Sequence, residues 1–171
     1  MKIHKFAYKI ASNIQKEIKE EGLVCIEEPE IPSIQIIPES LTRNCRSYIQ
    51  RIVREINGTY EKGFFSACAV MIRRLIETCM IEAFEHKKLA SVIKVPNSNE
   101  YKSAEEIKNQ LLQNPFGNLS RSARRALSDN DTLGLGHKCA HDRFFTARRH
   151  DVNDIKDGVR SLIEYLIHQF T

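Results

Sequence analysis

Apolar residues near the N-terminus recur at every third or fourth position, which is the spacing of one face of an α-helix. The repeat predicts an amphipathic helix over residues 2–21, ended by Gly22. Three prolines follow between residues 29 and 38, and because proline lacks a backbone donor they favour an extended connector. We therefore expect three parts in the chain: an N-terminal helical arm (1–26), an extended connector (27–39) and a helical bundle (40–171).

The first half of the expected bundle contains one strongly apolar segment. Ser40 is a suitable N-cap for a helix over Leu41–Ile56, which Asn57-Gly58 is expected to end. The next segment, Tyr60–Glu85, is apolar on nearly every side, as in a helix that neighbours cover all round. We expect this segment to form the centre of the bundle.

Shorter amphipathic segments follow that centre. Helices are predicted near Ala104–Leu112 and Leu119–Leu127, with the breaker Asn114-Pro115-Phe116-Gly117 between them. A closing helix is predicted from Asp151, a natural N-cap, to about Phe170. No segment of comparable strength has the alternation of a β-strand. The sequence therefore predicts an all-α fold, a helical bundle around a central apolar helix.

Composition narrows the class of protein. The chain has 171 residues, of which 42% are hydrophobic and 28% charged, as in one ordinary globular domain. It contains no apolar run long enough to span a membrane, and its first residues lack the apolar stretch of a signal peptide. Five cysteines without a CxxC motif are expected to be reduced thiols. We therefore expect a soluble cytoplasmic protein.

Arginines group at three places along the sequence. These are Arg43, Arg46, Arg51 and Arg54 on the predicted helix Leu41–Ile56, Arg121, Arg124 and Arg125 on the predicted helix Leu119–Leu127, and Arg143, Arg148 and Arg149 with His150 before the closing helix. Arg73 and Glu77 are spaced i, i+4 and can pair on one face, as a structural ion pair or as part of a site. With a net charge of +4, such groups attract an anion only if they cluster in space, and otherwise they are solvated faces. The residues predicted to bind nucleic acid are Arg73, Arg74, Glu77, Arg121, Arg124, Arg125, Arg148 and Arg149.

The stretch Thr132–Arg143 contains two glycines, two histidines and an Asp-Arg pair. Its glycines suit a close contact between helices, and on a helix His137 and His141 would point the same way while Cys139 points elsewhere. The two histidines lack an obvious third and fourth ligand, so the sequence does not support a tetrahedral zinc site and no metal is predicted. No glycine-rich phosphate loop or nucleophile elbow is present, and no cofactor is expected.

Three stretches taken together, Gly58–Glu85, Leu133–Ile155 and the closing helix, resemble the HEPN superfamily of helical, nucleic-acid-associated bacterial domains. The similar branch is classed as a domain of unknown function and is often fused to restriction-type enzymes. The resemblance covers roughly residues 40–170. It implies a helical bundle, frequent homodimerisation and a site where Arg73, Glu77 and His141 come together.

In the catalytic members of that superfamily the motif is Arg-x(4–6)-His, in which the His promotes attack by a ribose hydroxyl and the Arg stabilises phosphate charge. Counting back from His141, the positions for the Arg are Gly134, Leu135 and Gly136, so the motif is absent there. Arg143 and His150 have the required separation. The resemblance thus marks His141, Arg143 and His150 as candidate catalytic residues of a metal-independent endoribonuclease.

Three functions remain open from the sequence. The first is a nucleic-acid-associated domain without a complete catalytic motif, expected to bind RNA rather than DNA. Such a domain would act in phage defence or in a toxin–antitoxin pair. The second is a protein-interaction or scaffold domain that acts as a homodimer, with the N-terminal helix docked on a protein partner or a second copy. The third is the ribonuclease. No membrane partner is expected.

Overall fold

A long central helix organises the part of the chain that the computed structural model describes, residues 35–128 and 131–171, which belong to one compact unit. The helices in chain order are α1 (Ser47–Glu61), α2 (Phe65–His86), α3 (Ala90–Ile93), α4 (Ala104–Leu112), α5 (Arg121–Ser128), α6 (Asp131–His141) and α7 (Arg149–Ile167). Helix α2 contacts α1, α3, α4, α6 and α7 and supplies core side chains along its whole length. The predicted all-α bundle around a central apolar helix is confirmed here. The predicted N-terminal helix lies outside the described residues.

Helix α1 begins and ends later than the sequence indicated. The segment Glu39–Thr42 forms a short 3-10 helix, so Ser40 does not cap α1. Asn57-Gly58 does not end the helix, which continues to Glu61 before a turn at Gly63, where a φ of +78° favours glycine. The expected break was wrong because the Asn57 side chain makes a tertiary contact instead of a turn.

A buried segment precedes α1. Ile36 and Ile37 are fully buried. The Asn57 side chain makes two hydrogen bonds with the Ile37 backbone: Oδ1 accepts the Ile37 N–H at 3.1 Å, and the amide nitrogen donates to the Ile37 carbonyl at 2.8 Å. The Arg160 guanidinium on α7 donates to the carbonyl of Ile36 at 2.7 Å. The last residues of the predicted connector therefore belong to the packed unit, which begins before residue 40.

Helices α3 and α4 pack on the central helix α2, and α5 packs on α7. Helix α4 has the predicted bounds, because Ser103 and Glu106 form a reciprocal capping box at its start. The predicted breaker separates α4 from α5, and Gly117 there has a φ of +72°. Helix α3 was not predicted. The described residues contain no strand beyond a single bridge between Lys94 and Tyr101, and none of their helices could cross a membrane.

Helix α6 packs directly against α2. A Cβ placed on Gly136 would lie 2.6 Å from Cβ of Arg73 and 2.8 Å from the carbonyl oxygen of Ala69, so only a residue without a side chain permits this approach. Further along α6, the Cys139 thiol lies beside Ser66, so the two helices run antiparallel. The close helix contact predicted from the glycines is confirmed.

Helix α7 begins before the predicted N-cap. Its first residue is Arg149, with Arg148 as N-cap, and Asp151 is its third residue. The Asp151 carboxylate still stabilises the helix start, because it accepts the Arg148 N–H at 2.7 Å. The prediction of Asp151 as N-cap was therefore wrong by about one turn, and His150 lies in the helix rather than in the preceding loop.

Candidate functional site

Four helix ends meet at one end of the unit, where α1 and α6 end and α2 and α7 begin. Two hydrogen bonds join them. The Ala147 N–H donates to Ser66 Oγ at 3.0 Å, and the Tyr60 hydroxyl donates to Asn153 Oδ1 at 2.6 Å. We call this surface the bundle end. It comprises Tyr60, Phe64, Phe65, His141, Arg143, Phe144, Arg148, Arg149 and His150.

The loop between α6 and α7 has an anchored backbone. The Asp142 N–H donates to the Lys138 carbonyl at 2.8 Å, and the Asp142 carboxylate accepts the Phe144 N–H at 3.0 Å. At the other end of the loop, Ala147 is buried and bonded to Ser66. The side chains between these anchors are therefore presented from a fixed backbone.

Two adjacent phenylalanines of that loop point to opposite environments. The Phe145 side chain packs against the core, whereas Phe144 is 87% exposed. The Arg143 guanidinium lies 5.4 Å from the centroid of the Phe144 ring. Phe64, in the turn between α1 and α2, is a second exposed ring on this surface. The bundle end thus combines exposed aromatic rings with cationic side chains.

Arg149 is held by two aromatic rings. Its guanidinium carbon lies 5.3 Å from the centroid of Tyr60 and 5.3 Å from that of Phe65, and those two rings pack edge to face. Such contacts are attractive through the ring quadrupole but leave the guanidinium charged. The first turn of α7 therefore carries a positioned cation that no carboxylate of residues 35–128 and 131–171 pairs with.

Both candidate catalytic histidines lie at the bundle end. His141 is exposed at the last residue of α6, and its ring centroid is 4.7 Å from that of His137, as expected for an i, i+4 pair. His150 is exposed in the first turn of α7, with Nε2 3.4 Å from Asp151 Oδ1. Across residues 35–128 and 131–171, no three His, Cys, Asp or Glu side chains are grouped to hold a metal ion.

The Arg73–Glu77 pair lies elsewhere. Arg73 Nε and Glu77 Oε1 are 2.7 Å apart, so the predicted pairing is confirmed. Arg73 follows Phe65 by eight residues along α2, which is about 12 Å of helix rise. Its stem lies against Gly136, whereas His141 is beyond Gly136 toward the bundle end. Among the described residues, neither Arg73 nor Glu77 forms a hydrogen bond or ion pair with His141, and Arg74 is exposed separately on α2.

Helix α5 carries the exposed residues Arg121, Arg124 and Arg125. Arg124 donates to the last carbonyl of α4 at 3.0 Å, and Arg125 lines a cavity of about 600 Å³ between α5, α6 and α7. The cavity lining also includes Lys138, Asp151 and Asp154. Because acidic and basic side chains both line it, the cavity does not favour a ligand of one charge.

The cysteines of the described residues are free thiols: Cys45, Cys68, Cys79 and Cys139. Burial raises the pKa of each thiol, that of Cys68 to about 12. Thiols that stay protonated are poor nucleophiles and poor metal ligands. These four side chains therefore pack as small apolar groups, and Cys25 lies outside the described residues.

Sequence reasoning missed the aromatic half of the bundle end. The doublet Phe144-Phe145 has no feature that identifies which ring is buried, because the loop lacks a helical period. Tyr60 and Phe65 were assigned to one continuous central helix, whereas a turn separates them and lets both rings face Arg149. The charged half, Arg143 to His150, was identified because its residues are close in sequence.

Comparisons with family models, with curated proteins and with solved structures found no match to this chain.

Proposed function

We propose that this chain is a nucleic-acid-binding domain that contacts RNA through the bundle end. The observation that carries the proposal is the position of Arg149 beside the rings of Tyr60 and Phe65. The rings orient the guanidinium without neutralising it, so its fork of N–H donors remains available to a phosphate. Arg148, which precedes Arg149, and Arg143, in the loop before α7, are also exposed.

Among the described residues, the arginines of the bundle end form no ion pair, a property that they share with exposed arginines such as Arg51 and Arg54 but not with Arg46 or Arg73. Within the part of the chain that the structure describes, Arg143, Arg148 and Arg149 make no salt bridge. Arg46, by contrast, lies 3.2 Å from Glu82, and Arg73 pairs with Glu77. The charge of the bundle end is therefore available for an external anion.

The acidic residues of this region have local structural roles. Asp142 accepts the Phe144 N–H, and Asp151 accepts the Arg148 N–H at the start of α7. Both carboxylates thus support the backbone that displays the arginines. A polyanion can approach the three guanidinium groups and release its counterions, so the affinity should fall steeply as salt rises.

Titration of the protein into labelled RNA and labelled duplex DNA tests this function. Anisotropy should show saturable binding at roughly 50 mM salt that weakens strongly by about 200 mM. Absence of binding at the lower salt concentration would contradict the proposal. The RNA recovered from each titration is also examined for cleavage.

A ribonuclease is the second candidate, favoured by the contact between His150 and Asp151. A carboxylate 3.4 Å from Nε2 can orient the imidazole, and Arg143 of the Arg-x6-His motif belongs to the same surface. This function requires RNA cleavage in the presence of EDTA that His150→Ala abolishes without lowering Tm or RNA affinity. RNA that stays intact with an excess of protein excludes it.

A further inference from the structure

Phe144 is the most exposed large apolar side chain of the described residues. The Phe144 side chain is 87% exposed and that of Phe64 is 61% exposed. Within residues 35–128 and 131–171, the other exposed large apolar side chains are 40% exposed or less. Its neighbour Phe145 packs against the core from the same loop, so this loop can bury a ring. A phenyl ring fully in water gives up the free energy that its burial would contribute.

The exposed ring is presented by a constrained backbone. The Phe144 N–H is bonded to the Asp142 carboxylate, and the loop is tied to α2 through Ala147 and Ser66. The ring also has a cationic neighbour, Arg143, 5.4 Å from its centroid. A flat apolar surface beside a cation suits a ligand that has both an aromatic face and a negative charge.

From this arrangement we infer that the bundle end binds single-stranded nucleic acid by stacking an unpaired base on Phe144, with Arg143 contacting the adjacent phosphate. The inference rests on the proposed function and specifies its ligand. Bases in a duplex are stacked on one another, so their faces are not open to a side chain, whereas a single strand can present them. A single strand therefore gains from both the ring and the arginines, and a duplex gains only from the arginines.

Self-association is the main alternative use of an exposed ring. A two-fold symmetric dimer built on this surface would bring the same patch of both copies together, and with it the arginines Arg143, Arg148 and Arg149 of each copy. Like charges brought together across an interface are unfavourable. The charge of the bundle end is thus complementary to a polyanion and not to a second copy.

The inference is tested with three probes of matched length, a labelled RNA of about ten nucleotides, the same strand lacking its bases, and the corresponding duplex. Phe144→Ala should weaken binding of the intact strand by about 5- to 100-fold, as expected for loss of one stacked base. The same substitution should leave binding of the abasic strand and the duplex nearly unchanged. Phe144→Leu keeps an apolar group but no flat ring, and should resemble Phe144→Ala.

A spectroscopic measurement detects the stacking directly. The chain contains no tryptophan, so Phe144→Trp places the one tryptophan at the proposed contact, where its emission can be excited separately from that of the five tyrosines. Its emission should be quenched by the intact strand and not by the abasic strand. Tyr101→Trp is the control, because Tyr101 bonds to Glu85 near the opposite end of α2. Its emission should be unaffected by any of the probes.

The outcomes separate this inference from the proposed function. Stacking is overturned if Phe144→Ala loses the same affinity for all three probes. It is also overturned if Phe144→Trp binds the intact strand without quenching of its emission. Both results leave nucleic-acid binding itself intact. No binding of any probe overturns both. Sedimentation that shows a dimer for the natural sequence and a monomer for Phe144→Ala overturns the inference in favour of a protein interface.

Discussion

Gly136 and Arg73 touch across the interface between α6 and α2, and a β-carbon on Gly136 would lie 2.6 Å from Cβ of Arg73. The Ala69 carbonyl oxygen would be only 2.8 Å away, and backbone atoms cannot rotate aside as the end of a long side chain can. Gly136→Ala should therefore force the two helices apart. We expect a loss of about 1–3 kcal/mol in the free energy of unfolding, measured by denaturant titration.

Gly58→Ala is the matched control for that substitution. Gly58 lies in α1, and a Cβ there would meet nothing within 4 Å. Alanine is the better helix former, so this variant should gain about 0.5–1 kcal/mol. Equal stability of the two variants would contradict the close approach of α6 to α2.

Asn57 anchors the segment that precedes α1. Its side chain makes two hydrogen bonds with Ile37, which is fully buried, so Asn57→Ala leaves both backbone groups without partners. We expect this variant to lose about 1–3 kcal/mol of stability. Asn109→Ala, on the exposed surface of α4, should change stability by less than about 0.5 kcal/mol. Comparable losses for the two variants would show that residues 35–38 are not anchored as described.

Two differences between the predicted and the observed structure arise at residues whose side chains act outside the local signal that they carry in the sequence. Ser103 and Glu106 cap α4 locally, so its bounds follow from the sequence. Asn57 and Asp151 carry equally clear local signals, but Asn57 bonds to a distant segment and Asp151 acts from inside α7. Local propensity cannot reveal such tertiary partners. For the same reason the arginines of the bundle end were predicted, whereas their arrangement around Tyr60, Phe65 and Phe144 was not.

The buried thiols should be unreactive in the folded protein. The pKa of Cys68 is raised by burial from 9.0 to about 12, so its thiolate fraction near pH 8 falls about a thousandfold. In a Cys25→Ser variant, a chromogenic disulfide reagent should modify Cys68 and Cys79 only after denaturant is added. Rapid reaction of all four remaining thiols without denaturant would contradict the buried positions.

The most direct test of the proposed function compares two variants that remove the same charge from different surfaces. One replaces Arg143, Arg148 and Arg149 with Gln, and the other replaces the exposed residues Arg43, Arg51 and Arg54 with Gln. Each lowers the formal net charge from +4 to +1. Circular dichroism first establishes that both variants remain folded at the assay temperature.

The measurement is the slope of log K against log salt for single-stranded RNA in the natural sequence and in the two triple variants. If the bundle end contacts phosphates, its triple variant should lose about 2 units of slope together with most of its affinity at low salt. The other triple variant should keep a slope close to that of the natural sequence. Equal reductions in both variants would contradict a localised interface, since they would show that RNA responds only to net charge.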